Sequence, residues 1–427
     1  MKHVITAVVA TLSLFAQTVL ADTTVIRAGA LFDGTSERVQ RDMTVIVRDG
    51  RITEVGRNLA VPDGAQVIDL SGYTVMPGLI DLHTHLMGDP SELGKDRGGF
   101  LFRYPDRAIL LGAVHAERTL RAGFTTVRDV GAPGTTALAL RDAIAEGLVT
   151  GPRIVAGIAM GTTGSHCDPA TGVRPGNVEL AGAEDYVFDG PDEARETVRR
   201  AVRAGADVIK ICATAGVLSM SDDIGPAQMT PAELEAVIET ARSLNRRVVA
   251  HAHGLEGIRN AVAAGITTID HGSILDDAVL REMKKRGTWL VPTMMAYSAV
   301  MKMVDEGTLP PGPAAKASAI RDVVRDSHRR AFRSGVKVAF GTDAGVFPHG
   351  DNAREFELMV EAGMAPAQAL LAATRNAADA LGRLDQFGTI EIGKSADIIA
   401  VEGDPLDDVR VMERVGFVMK GGVVYSD

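Results

Sequence analysis

Between Pro77 and about Arg383 short apolar runs alternate with amphipathic stretches eight times, and this alternation restricts the possible folds more than any other feature. The runs are "LIDLH", "TTVRDV", "RIVAGIAM", "DVIKICA", "RRVVAHAH", "TTIDHG", "TWLVPTM" and "KVAFGTDA". Runs of this kind separated by helical patterns read as parallel strands with helical crossovers. One intervening stretch, "TPAELEAVIETARSLN", shows how a crossover is specified: Thr230 caps, Pro231 suits the first turn, and Glu233 completes a capping box. Other helices end in an Ala-Gly pair, at Gly123, Gly205 and Gly265, where glycine makes the left-handed stop. Eight strand–helix units predict a closed β/α barrel of the TIM type. No Gly-x-Gly-x-x-Gly follows the first strand, which argues against an open dinucleotide-binding sheet.

A barrel does not use up 427 residues, 46% of them apolar, so a second, smaller unit is expected. Its strands lie at both ends of the chain. "TTVIRAGALFDG", "MTVIVRDGRITEVG" and "QVIDLSGYTVMPG" precede the barrel; "GTIEIGKSADIIAVEGD" and "VGFVMKGGVVY" follow it, with hairpin turns at Asp49-Gly50 and Gly421-Gly422. Neither end has enough strands to stand alone, so residues 22–76 and 384–427 are expected to combine into one discontinuous β-sandwich domain around a barrel of residues 77–383.

The first residues, "MKHVITAVVATLSLFAQTVLAD", run from a basic Lys2 through an apolar stretch to small residues at Ala21. This is a secretory signal pattern over residues 1–21, implying a secreted or periplasmic protein once it is removed near Ala21. No later run is long and apolar enough to span a bilayer. A net charge of −10 without Lys/Arg blocks excludes a nucleic-acid face, which needs a positive footprint. Two cysteines, Cys167 and Cys212, allow at most one bridge and no disulfide-built scaffold.

In a barrel of this kind chemistry gathers at the C-terminal ends of the strands. His83 and His85 end the first run, and alternate residues of a strand share a face, so both imidazoles point the same way. Lys210 sits in the fourth between Ile209 and Ile211, where a charged amine is costly unless paired or chemically altered. His251 and His253 end the fifth, His271 the sixth and Asp343 the eighth. Nitrogen and oxygen donors converging on one rim suit a metal centre. His166, in the glycine-rich loop "MGTTGSHCDPATG", and His349, in "FPHGDN", are candidates for substrate contact from rim loops.

The set "DLHTH", "VIKI", "VAHAHG", "TTIDHG" and "FGTDAG", with the tail "GKSADIIAVEGDPL", resembles the metal-dependent amidohydrolase superfamily over nearly the whole chain after residue 21. Within it the sequence most resembles the prolidase-like, Xaa-amino-acid dipeptidase or carboxypeptidase branch, which includes ochratoxin-hydrolysing amidohydrolases. The resemblance implies two divalent metal ions, zinc by choice of ligands. One would be held by His83, His85 and Asp343, the other by His251 and His271, with a carboxylated Lys210 bridging them. A carbamate offers two anionic oxygens where an ammonium has no lone pair. The family's fifth-strand ligand directly follows the apolar run, which selects His251 and leaves His253 to substrate or to support. Asp343 would carry the proton from the attacking water to the departing amine. Family relatives form symmetric assemblies, octamers included, so a homo-oligomer is implied.

The expected substrate is a small dipeptide or N-acyl amino acid. Where relatives often place an aromatic residue after the fourth strand this chain has Leu218, and Val217, Leu218 and Met220 favour a hydrophobic C-terminal residue such as phenylalanine, the amino acid of ochratoxin A. Two other readings are a cyclic amidohydrolase of the hydantoinase or imidazolonepropionase kind, and a catalytically silent binding or assembly protein on the same fold. The bridging lysine weighs against mononuclear members of the former, and the complete ligand set against the latter.

Overall fold

The computed structural model describes residues 23–93, 104, 106–171, 184–220 and 222–425; the expected leader over residues 1–21 lies outside them. Strands β1 (Thr23–Phe32), β2 (Val39–Arg48), β3 (Arg51–Gly56) and β4 (Gln66–Pro77) open the chain. The barrel strands follow: β5 (Leu79–Thr84), β6 (Phe124–Asp129), β7 (Arg153–Met160), β8 (Val208–Cys212), β9 (Arg247–Ala252), β10 (Thr268–His271), β11 (Trp289–Val291) and β12 (Lys337–Val338). Three more, β13 (Ile398–Glu402), β14 (Val415–Lys420) and β15 (Val423–Val424), end it.

The end strands hydrogen-bond as one mixed sheet in the order β15-β14-β13-β4-β1-β2-β3. Its centre joins the two ends of the chain, with Ala400 of β13 opposite Val75 of β4. Ile26, Val45 and Val75 from one end pack with Ile398, Ala400 and Phe417 from the other. Both predicted hairpins form: Asp49 and Gly50 have φ of 49° and 73°, Gly421 and Gly422 of 57° and 83°, the positive values a tight two-residue hairpin requires.

The eight barrel strands are parallel and lie side by side in chain order. In β8 Ile209 and Ile211 pack toward the surrounding helices while Val208 faces the barrel interior, and in β9 Val248 and Ala250 do the same opposite Val249. The helix Pro231–Ser243 has the predicted capping box at Thr230 and Glu233, and Gly205 and Gly265 end their helices left-handed at φ of 104° and 93°.

The eighth strand is shorter than its sequence suggests. Beyond Val338 the ladder to β5 is interrupted by a side chain: Asp81 Oδ1 accepts the backbone N–H groups of both His83 (3.0 Å) and Thr342 (3.1 Å). Closure continues around this insertion, with Leu82 N–H donating to Phe340 O at 3.0 Å and Asp343 N–H to His83 O at 2.7 Å. First and last strands therefore meet through a buried carboxylate, and His83 and Asp343 stand beside it.

Candidate metal centre

Strand parity delivers most of the site. Asp81, His83 and His85 share one face of β5; Lys210 shares parity with Val208, and His251 and His253 with Val249, so all point into the barrel mouth. His271 is different. It has the parity of Ile269, which packs outward, and a regular strand would aim it away. Its backbone leaves the strand at φ 72°, and its ring lines the mouth. Asp343 is likewise left-handed at φ 62°.

Hydrogen bonds on one side of each ring decide what the other side offers. His83 Nδ1 donates to Asp270 Oδ2 at 2.9 Å, and His85 Nδ1 to the Gly131 carbonyl at 3.0 Å. Both Nε2 atoms are thereby left with bare lone pairs, and these lie only 3.3 Å apart. Asp343 Oδ1 stands 3.0 Å from the Nε2 of His85 and 3.6 Å from that of His83. Two lone pairs and a carboxylate converging on one point call for a positive charge between them. The His251 Nε2 contact to the Ala215 carbonyl at 3.3 Å leaves its Nδ1 free, and His271 bonds Thr293 Oγ1 through Nδ1 at 2.7 Å while its buried Nε2 has no protein partner. Two trios have one donor atom each within 4.8 Å of one another: His83, His271 and Asp343, and His251, His253 and His271. The donor set fits divalent cations.

The electrostatics agree for three of the four imidazoles, and His85 differs. Burial holds His83, His251 and His271 well below the ordinary histidine value, which keeps them neutral, the form that ligates. Burial would lower His85 too, but the Asp343 carboxylate outweighs it and raises the ring. Burial would raise Asp343, yet the His83 and His85 imidazoles hold it down. Burial pushes Lys210 down to about 8.

The supporting carboxylates escape a reading for ligands alone. Asp270 is gripped by the fully buried Arg128, whose Nη2 lies 2.9 Å from Oδ2 and 3.1 Å from Oδ1, and so holds the tautomer of His83. Asp81 also accepts from Thr342 Oγ1 at 2.6 Å and Asn352 Nδ2 at 2.8 Å. Their signal lay in parity: Asp81 is two residues before His83, and Asp270 two after the inward Thr268.

A cavity of about 590 Å³ opens over these groups, within the range of small-molecule sites. Val217, Leu218, Val300, Val324 and Val346 give it an apolar wall. His166 lines it with its ring centroid 4.4 Å from that of His251, and burial pushes it down to about 4. His253 lines it as well and bonds Ser273 Oγ at 2.7 Å. His349 stands apart: it bonds the His85 carbonyl at 3.1 Å, stacks on His115 at 4.4 Å, and is not among the lining residues. Cys167 and Cys212 are joined in a disulfide, which ties the His166 loop to the end of β8 two residues past Lys210.

A second cavity, of about 460 Å³, lies at the opposite end of the barrel among Arg242, Arg246, Arg247 and Arg383. Asp207 also lines it, but among the described residues no group of three potential metal ligands lies there, and Arg246 donates to the carbonyls of Ala206, Leu244 and Asn245. The chemistry sits at the other end.

Known proteins share this architecture and much of this sequence. The ochratoxinase of Aspergillus niger is 33% identical over 95% of this chain and 87% of its own. The crystal structure of a Xaa-Pro dipeptidase with bound methionine in the active site superposes with a TM-score of 0.89 at 38% identity, covering 95% of this chain and all of that one. A prolidase complexed with N-methylphosphonate-L-proline gives 0.86 at 32%, over 95% and 99%. The model of the amidohydrolase family matches residues 74–425, from the end of β4 through every strand end that carries a candidate ligand. With its eight parallel strands and its buried histidine clusters, the chain belongs to the amidohydrolase family.

Proposed function

We propose that this amidohydrolase is a binuclear enzyme that cleaves the amide bond of dipeptides or N-acyl amino acids with a hydrophobic C-terminal residue, ochratoxin A among them, releasing ochratoxin alpha and phenylalanine. The observation that carries the reading is the pair of bare imidazole nitrogens 3.3 Å apart beside Asp343, set beneath an apolar wall. His83, His85 and Asp343 would hold one cation and His251 and His271 the other, zinc suiting both donor sets, and Lys210, as a carbamate, would add anionic oxygens to the site. Because burial lowers Lys210 to about 8, its amine is available to add to carbon dioxide, losing a proton. Bound cations supply an activated water at neutral pH and neutralise charge developing on the scissile carbonyl.

The protein's own groups do the rest. Asp343 takes the proton of the attacking water and returns it to the amine nitrogen as the C–N bond breaks. His166, neutral and at the cavity wall, donates toward the substrate carbonyl, and His253 lines the same side. Leu218 and its valine neighbours receive the leaving side chain and shed water, each buried methylene stabilising by about 0.8 kcal/mol. His349, placed behind β5, supports the His85 backbone instead of touching substrate.

The test is a panel of N-acyl amino acids differing only in the C-terminal residue, offered to zinc-loaded enzyme with bicarbonate. Phenylalanine and leucine derivatives are expected to exceed arginine and lysine derivatives in kcat/KM. A preference for the basic residues refutes the pocket assignment. Cleavage confined to cyclic amides moves the function to the hydantoinase kind.

A further inference from the structure

Three strand ends at the rim carry a non-glycine residue in the left-handed region: His271 at φ 72°, Thr293 at 49° and Asp343 at 62°. His271 and Asp343 belong to the proposed ligand set; Thr293 does not. For a β-branched residue this conformation is an outlier costing on the order of 1–3 kcal/mol. Such strain persists only where the surroundings enforce it.

The enforcing group is Glu355, on the helix Arg354–Glu361. Its side chain is fully buried and absent from the cavity lining, so it touches no substrate there. Oε1 accepts the N–H of Met294 at 2.8 Å and Oε2 that of Met295 at 2.6 Å. These are the first two residues of the helix Met294–Asp305, whose N-cap is Thr293. A carboxylate at a helix N-terminus satisfies donors that the helix itself leaves open. With the next two amides clamped, Thr293 is kept left-handed, and its Oγ1 reaches His271 Nδ1 at 2.7 Å. His271 is the one imidazole common to both ligand trios.

We infer that Glu355 is a positioning residue of the metal centre: by clamping the helix start behind Thr293 it fixes the ring of His271, and through it the geometry of the site that His271 would form with His251. The inference rests on the binuclear reading of the two trios. It requires two acceptor oxygens, so an amide of the same shape fails, since its NH2 faces one of the two backbone donors.

The experiment compares wild type with Glu355→Gln, Thr293→Val, Thr293→Ser and the Glu355→Gln/Thr293→Val double variant, purified in full length. Zinc affinity is read by competition with a chromogenic chelator, the ligand field by visible absorption after cobalt substitution, and folding by thermal melting. Glu355→Gln and Thr293→Val are each expected to weaken zinc binding about tenfold or more, the effect typical of losing a group that orients a ligand, and to alter the cobalt spectrum. Thr293→Ser, which keeps the hydroxyl, is expected to bind as wild type. The double variant is expected to be no worse than Thr293→Val, because both changes act through one hydroxyl. Additive losses overturn the inference, as does a Glu355→Gln protein that melts early but retains wild-type affinity and spectrum. Should Glu355→Gln fail to fold, Thr293 still decides: equal losses, or no loss, in the valine and serine variants overturn it. A wild type that binds neither zinc nor cobalt fails the metal-centre reading and the inference together, whereas unaltered binding in Glu355→Gln fails the inference alone.

Discussion

At one end of the barrel strands, imidazoles keep bare nitrogens beside a carboxylate and three residues stand left-handed; at the other, Arg246 spends its donors on three backbone carbonyls and Asn245, a residue type that tolerates the left-handed region, makes the turn. Both ends are built from the same strand–helix repeat. The difference teaches that function here is written in which groups are left unanswered, since at the floor Arg246 closes on backbone carbonyls at a helix end while at the rim lone pairs face each other. The ends are also connected. Arg128 lines the floor cavity and grips Asp270, which in turn holds His83 at the rim.

The comparison can be broken most severely by removing the charge that the rim demands. Stripping divalent cations with a chelator is expected to lower amide hydrolysis on the order of 10³-fold or more, reversibly on adding zinc, as assayed on N-acyl-phenylalanine. Activity that survives chelation would leave the facing nitrogens without a role. Next, Asp343→Asn keeps the shape but not the base, and is expected to cost about 10²–10⁴-fold in kcat with little change in KM. Arg128→Met tests the connection. It leaves Asp270 buried without its cation, and should destabilise by about 3–5 kcal/mol in urea unfolding while also weakening zinc retention. Arg246→Ala should sharpen the contrast: about 1 kcal/mol of stability is lost with the activity of the folded fraction unchanged. A floor variant that reduces turnover per folded molecule would abolish the distinction.

Strand parity made much of this legible. His83, His85, His251 and His253 follow the alternation rule, and the capping box at Thr230 and both hairpins follow local rules equally directly. What parity could not show is His271, whose outward position in a regular strand is reversed by one positive φ angle. Glu355 was invisible for another reason: its partners are backbone amides some sixty residues away, 61 and 60 positions in sequence, and nothing in "NAREFELMV" marks them. The short eighth strand also followed from a non-local event, the entry of Asp81 into the ladder. Whether Cys167 and Cys212 pair depends on a rim loop meeting a strand end in space, at a Cα separation of 5.5 Å. Local pattern specifies elements; the contacts between their ends specify the site.

The pairing of Ala400 with Val75 sets the order in which this molecule can be completed. On the ribosome the whole barrel emerges while β4 still exposes an unpartnered edge, and the edge is covered only when nearly the last segment has been synthesised. A chain clipped before Ile398 would keep every candidate ligand yet carry an open strand edge into solution, so aggregation, and not loss of the catalytic groups, is the expected fate of such a fragment.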